Sequence, residues 1–140
     1  MYNQILSSLN DFINNDLSFD PDQKKTLLNK HKLALTDSLQ KGHWTTNICL
    51  IASNLAKKKP QDIAAALISR LESQRDISKV ELAGPGFINI FLTREVFLKQ
   101  LDDAHKNPNS FVDSSHASKE KIQIEFVSAN PTGPLHVGHG

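Results

Sequence analysis

The sequence predicts an α+β fold: amphipathic helices packed on a small antiparallel sheet, then a linker, a further strand and a Gly/Pro-rich loop. Three observations carry that prediction. Apolar residues recur at helical spacing at Ile5, Leu6, Leu9, Phe12 and Ile13, and again at Ile63, Leu67, Ile68 and Leu71. Two alternating runs, Val80–Leu82 and Phe87–Leu92, flank Ala83-Gly84-Pro85-Gly86, the pattern of a β-hairpin. Beyond residues 106–119, which lose all periodicity, Lys121–Val127 alternates like a strand and runs into Ser128–Gly140.

Element by element, the first helix spans the Ile5–Ile13 stripe and ends near Asn14-Asn15. Turn chemistry at Phe19-Asp20-Pro21-Asp22 precedes a short polar helix within residues 16–30. Leu33 and Leu35 alternate with smaller neighbours as a short strand before a Lys41-Gly42 turn. Thr45 or Thr46 is placed to cap a second helix with Ile48, Ile51, Ala52 and Leu55 inward. Lys57-Lys58-Lys59 closes it, where positive charge suits a helix C-terminus, and Pro60 opens a third. After the hairpin, Thr93–His105 reads as a helix with Val96, Phe97, Leu101 and Ala104 inward. This divides the chain into a domain over 1–105, a linker over 106–119 and a second unit over 120–140.

Composition narrows the function classes. Of 140 residues, 39% are hydrophobic and 22% charged, enough apolar content to bury a core rather than stay disordered. Sixteen Lys+Arg against fifteen Asp+Glu give a net charge of +1, which excludes a generally basic nucleic-acid coat. Nucleic-acid contact therefore has to come from local patches. The single Cys49 excludes an internal disulfide and a cysteine zinc site, and its Ile48-Cys49-Leu50-Ile51 setting reads as a buried, inert thiol. The longest apolar run, Ile63–Ile68, is far below a membrane span, and Asp11 and Asp16 interrupt the N-terminus where a signal peptide would be apolar. The expectation is a soluble, cytoplasmic protein without a membrane partner.

The chemistry is concentrated at residues 125–140. A strand entering a Gly/Pro-rich loop with His136-Val137-Gly138-His139 can place backbone N–H groups and two imidazoles around an anion. Histidines three residues apart can donate to phosphate oxygens and to charge developing in nucleotidyl transfer, and Gly138 leaves room for close approach of a base or ribose. The tetrapeptide alone equally fits a surface loop or half of a metal site; no further ligand stands at a metal spacing.

The surrounding residues are more specific. Glu125-Phe126-Val127-Ser128-Ala129-Asn130-Pro131-Thr132-Gly133-Pro134-Leu135-His136-Val137-Gly138-His139-Gly140 resembles the active-site entry of arginyl-tRNA synthetases, class I enzymes whose "HIGH" signature follows the first strand of a Rossmann-like catalytic domain. Upstream, Gly42-His43-Trp44-Thr45-Thr46-Asn47-Ile48 resembles the family's Gly-Asp-Tyr-Ala-Thr-Asn-Ile stretch, and Val80–Asn89 its N-terminal hairpin. The likeness runs from about Lys41 onward and extends more loosely to the first helix. His43 departs from the pattern, which has an acidic residue there, and Trp44 replaces a tyrosine.

The resemblance implies that residues 120–140 are the start of a truncated Rossmann-like domain, and that the signature region comprises Ala129, Asn130, Pro131, Thr132, Gly133, Pro134, Leu135, His136, Val137, Gly138 and His139. It implies that His136 and His139 are catalytic and contact the ATP phosphates, with Gly138 near the adenosine. It implies that Glu125, Ser128 and Asn130 hold the substrate arginine; by residue type alone Glu125 is a solvated strand residue. It also implies that Phe87 and Asn89 on the hairpin contact tRNA(Arg), whereas Phe87 as a core residue is the plain alternative. ATP, L-arginine and Mg²⁺ accompanying ATP follow as substrates and counter-ion, with no metal bound by this stretch and a monomeric state.

The second class I signature and an anticodon-binding domain are absent from the 140 residues. The expectation is therefore the N-terminal portion of an arginine–tRNA ligase that is inactive by itself. The alternatives are a non-catalytic tRNA-binding module and, more remotely, another His-x-Gly-His nucleotidyltransferase.

Overall fold

The computed structural model describes residues 1–108, 123–124 and 133–134. Met1–Asp103 forms one unit and Ala104–Gly140 a second; the architecture below is that of the first.

Helix α1 (Tyr2–Asp11) buries Ile5 and Leu9 and passes into a π-helical turn, Phe12–Asp16, that buries Phe12 and Ile13. The predicted stripe is thus the inward face. Helix α2 (Pro21–Lys30) starts at a capping box. Asp20 Oδ1 accepts the Gln23 N–H at 2.8 Å, and Gln23 Oε1 accepts the Asp20 N–H at 3.2 Å. Such a cap contributes about 1 kcal/mol. Strand β1 (Leu33–Leu35) follows, then a 3₁₀ turn at Leu39–Lys41 and β2 (Trp44–Thr46).

Helix α3 (Ile48–Ala56) ends where Lys57 turns left-handed at φ 52°, and α4 (Pro60–Glu72) begins at Pro60. The hairpin is formed by β3 (Ile77–Ala83) and β4 (Phe87–Leu92), and α5 (Arg94–Lys106) comes next. The four strands make one antiparallel sheet in the order β1-β2-β4-β3. One face packs on the helices. There Leu33, Thr46 and Ile88 form one buried row, with Ile90 and Val80 in the next. The other face carries Ala34, Thr45, Asn89 and Glu81 in a continuous cross-strand row.

Three expectations are corrected. Thr45 and Thr46 do not cap α3; they belong to β2, pairing with β1 and β4, and Asn47 takes the N-cap position without a side-chain cap. The buried face of α3 is Ile48, Cys49, Ala52 and Ser53, while Ile51 and Leu55 are only partly buried. That helix is apolar nearly all round, so spacing alone does not select its inner face. On α5, Val96 is buried, but Phe97 is 38% and Leu101 67% exposed. The hairpin, α4 and α1 stand as read, apart from the partial exposure of Ile68 and Leu6. The linker over 106–119 and the strand and loop over 120–140 lie outside the described residues, apart from residues 106–108, 123–124 and 133–134.

Candidate nucleic-acid interface

Alternation along β4 sorts its side chains cleanly. Ile88, Ile90 and Leu92 point into the core, and Phe87, Asn89 and Phe91 stand on the opposite face. Phe87, read from sequence as either core or RNA-facing, is 38% exposed and outside the core.

The strand is held at both ends by main-chain contacts. At the turn, Gly86 has φ 133°, and a Cβ there would lie 2.8 Å from the Leu50 Cα and N. Its carbonyl accepts the Leu50 N–H at 2.9 Å. Leu50 is in the first turn of α3, where N–H groups lack intrahelical partners. Asn47 does not supply the cap, because its Oδ1 accepts the Lys32 N–H at 2.8 Å. The hairpin turn therefore replaces the side-chain cap of α3, and Phe87 emerges directly from that clamp.

At the far end, the His43 N–H donates to the Ile90 carbonyl at 2.9 Å, and its Nδ1 accepts the Leu92 N–H at 3.0 Å. Its ring lies 4.9 Å from that of Phe97. What this position supplies is an acceptor for Leu92. An imidazole nitrogen provides it here, at the position where the sequence departs from the acidic residue of the resemblance.

Between the clamps, Asn89 pairs in register with Thr45 of β2 and Glu81 of β3. Asn89 and Thr45, with Leu35, Thr36, Asp37 and Lys41, line a shallow cavity of about 280 Å³. Lys41 Nζ sits 3.1 Å from Asp37 Oδ1 at its rim and holds that carboxyl below the usual range. On the β3 side, Lys79 is ion-paired with Glu81 and its Nζ lies 5.5 Å from the centroid of the Phe91 ring. The face thus offers aromatic rings and an amide suited to bases, with two lysines that are each paired with a carboxylate.

Sequence reasoning places Phe87 and Asn89 but misses Thr45, Lys79 and Glu81 as their neighbours. The alternation over Val80–Leu82 could have been extended to Lys79; nothing local signals that Thr45 sits beside Asn89. Burial pushes the Cys49 thiol up to about 12, in keeping with an inert side chain. Lys57, Lys58 and Lys59 are exposed at the α3–α4 junction. Among the described residues there is no group of three or more metal-ligating side chains, and no helix is long and apolar enough to cross a membrane. Of the signature region, Gly133 and Pro134 are described and exposed. Glu125, Ser128, Ala129, Asn130, Pro131, Thr132, Leu135, His136, Val137, Gly138 and His139 lie outside the described residues.

Comparison with known proteins places the chain in a family. Residues 3–92 match the family model described as "Arginyl tRNA synthetase N terminal domain". Over 112 residues the chain is 43% identical to an arginine–tRNA ligase of Psychrobacter cryohalolentis, covering 80% of this chain and 18% of that protein. It is 45% identical over 112 residues to the arginine–tRNA ligase of Acinetobacter baumannii strain AYE, 80% of this chain and 19% of that protein. An arginine–tRNA ligase of Thioalkalivibrio sulfidiphilus is 43% identical over 99 residues, 71% of this chain and 17% of the relative. The matched stretch spans less than a fifth of the length of these relatives.

Proposed function

The chain belongs to the family of arginyl-tRNA synthetase N-terminal domains, and from that premise we propose that it is the tRNA-contacting part of a cytoplasmic arginine–tRNA ligase. The whole protein activates arginine with ATP, releasing pyrophosphate, and transfers it to tRNA(Arg), releasing AMP. The observation that carries the reading is the outward pair Phe87 and Asn89 on a strand clamped at both ends.

In this reading Phe87 stacks on an unpaired base of the tRNA, and Asn89 reads a base edge at the cavity it shares with Thr45. A rigid strand suits this role because the aromatic loses little freedom on binding. His136 and His139 contact the ATP phosphates, and Gly138 lies by the adenosine. Glu125, Ser128 and Asn130 hold the arginine; a carboxylate and an amide at the end of a strand suit its cationic groups. Mg²⁺ enters with ATP as its counter-ion. The enzyme acts as a monomer.

The test is arginylation kinetics of the intact protein with Phe87→Leu and Asn89→Ala. Loss of a base stack amounts to about 1–3 kcal/mol. The expected result is a KM for tRNA raised about 5- to 150-fold with kcat largely retained. A KM for tRNA equal to that of the unaltered protein in both variants overturns the reading.

A further inference from the structure

We propose that the outer sheet face holds a second stacking subsite, built on Phe91 and Lys79, so that consecutive unpaired nucleotides run along β4 from Phe87 past Asn89 to Phe91. The inference rests on the face being an RNA surface.

Side chains on one face of a strand repeat every two residues, about 6.6 Å apart. Phe87, Asn89 and Phe91 therefore form an evenly spaced aromatic–amide–aromatic series. That interval is close to the phosphate-to-phosphate span of an extended single strand, so adjacent nucleotides can meet successive positions without changing direction.

Lys79 is directly opposite Phe91 in the β3–β4 ladder. Its ammonium rests 5.5 Å from the ring centroid and is ion-paired with Glu81, the cross-strand neighbour of Asn89. The side chains of Lys79 and Glu81 are 57% and 41% exposed, so solvent screens the pair and a phosphate can displace the carboxylate. The unliganded face thus parks a cation on an aromatic ring. On binding, a base takes the ammonium's place over Phe91, and Lys79 swings to the phosphate of that nucleotide. Glu81 opposes this exchange by holding Lys79 and by repelling phosphate, which makes it a brake on affinity. A single-stranded RNA is the occupant that uses the ring and the cation together; an apolar protein segment has no use for Lys79.

The experiment is fluorescence anisotropy of a labelled tRNA(Arg) transcript with the intact protein over a salt series. Lys79→Gln, Glu81→Gln, Phe91→Leu and Phe87→Leu are compared, and thermal melts verify folding. Lys79→Gln is expected to lower the magnitude of the log K versus log[salt] slope by about 0.7, the increment for one phosphate on a single strand. Glu81→Gln is expected to tighten binding several-fold, and Phe91→Leu to weaken it about tenfold at unchanged slope. Lys79 and Glu81 are solvent-facing, so their variants report even if Phe91→Leu does not fold. If Phe87→Leu weakens binding while the Lys79 and Glu81 variants match the unaltered protein, the second subsite is overturned and the RNA surface stands. If all four bind as the unaltered protein does, both fail.

Discussion

His31 is a residue whose charge the fold resists. It ends α2 and is nine-tenths buried, with Nε2 3.0 Å from Asn10 Oδ1 and Nδ1 buried without a hydrogen-bond partner. The neutral ring therefore carries its proton on Nε2. A second proton would put a charged, unpaired N–H in the interior, and desolvation lowers the pKa below 6.5. Between the lowered folded value and the unfolded one, the unfolded chain binds more protons. Stability is then intact above about pH 6.5 and is lost as the pH falls from there through the folded pKa. Urea melts of the unaltered protein and of His31→Gln, taken between pH 7.5 and 5, are expected to separate in pH slope, with the variant flatter. Equal slopes would place the titration elsewhere.

The elements show what a sequence reveals and what it conceals. The hairpin is legible because β3 and β4 are neighbours in the chain, so alternation and the Gly-Pro-Gly turn report on the same contact. Strand β2 is not, because its three residues lie between Gly42 and a helix, pair on one side with the equally short β1, and on the other with β4, more than forty residues away. The outward position of Phe87 and Asn89 is readable from that same alternation; their neighbour Thr45 depends on β2. Periodicity likewise turns Phe97 and Leu101 inward, although the spacing of a helix says which residues share a face and not what that face meets. The two turn glycines separate a structural role from mere turn chemistry. Gly84 has φ 53° and open space, with nothing within 4 Å of where a Cβ would stand, so Gly84→Ala is expected to cost about 1–2 kcal/mol of backbone strain. Gly86 combines φ 133° with a collision against the main chain of α3. Gly86→Ala is expected to cost about 2–5 kcal/mol, backbone strain and overpacking together. Chemical denaturation of both variants gives the comparison, and equal losses would mean that the clamp on α3 is slack.

At the scale of the whole molecule, the proposed function predicts that binding and chemistry separate. Among the described residues, the four strands of the sheet and helices α1–α4 lie within Met1–Asp103. The ATP chemistry proposed for His136 and His139 needs arginine, ATP and the tRNA end held together. Orientation accelerates a reaction only when every reacting group is positioned. Relatives named arginine–tRNA ligase are more than five times as long as the matched stretch, which covers 18–19% of the two Psychrobacter and Acinetobacter proteins. A polypeptide of residues 1–140 is therefore expected to bind tRNA(Arg) in a manner weakened by Phe87→Leu, and to form no arginyl-tRNA under conditions where the intact protein does. Filter binding and an arginylation assay on the same preparation decide it. Arginyl-tRNA made by residues 1–140 would mean that one strand and its loop assemble a working ATP site. Absence of tRNA binding would mean that the sheet face needs the rest of the ligase to present it.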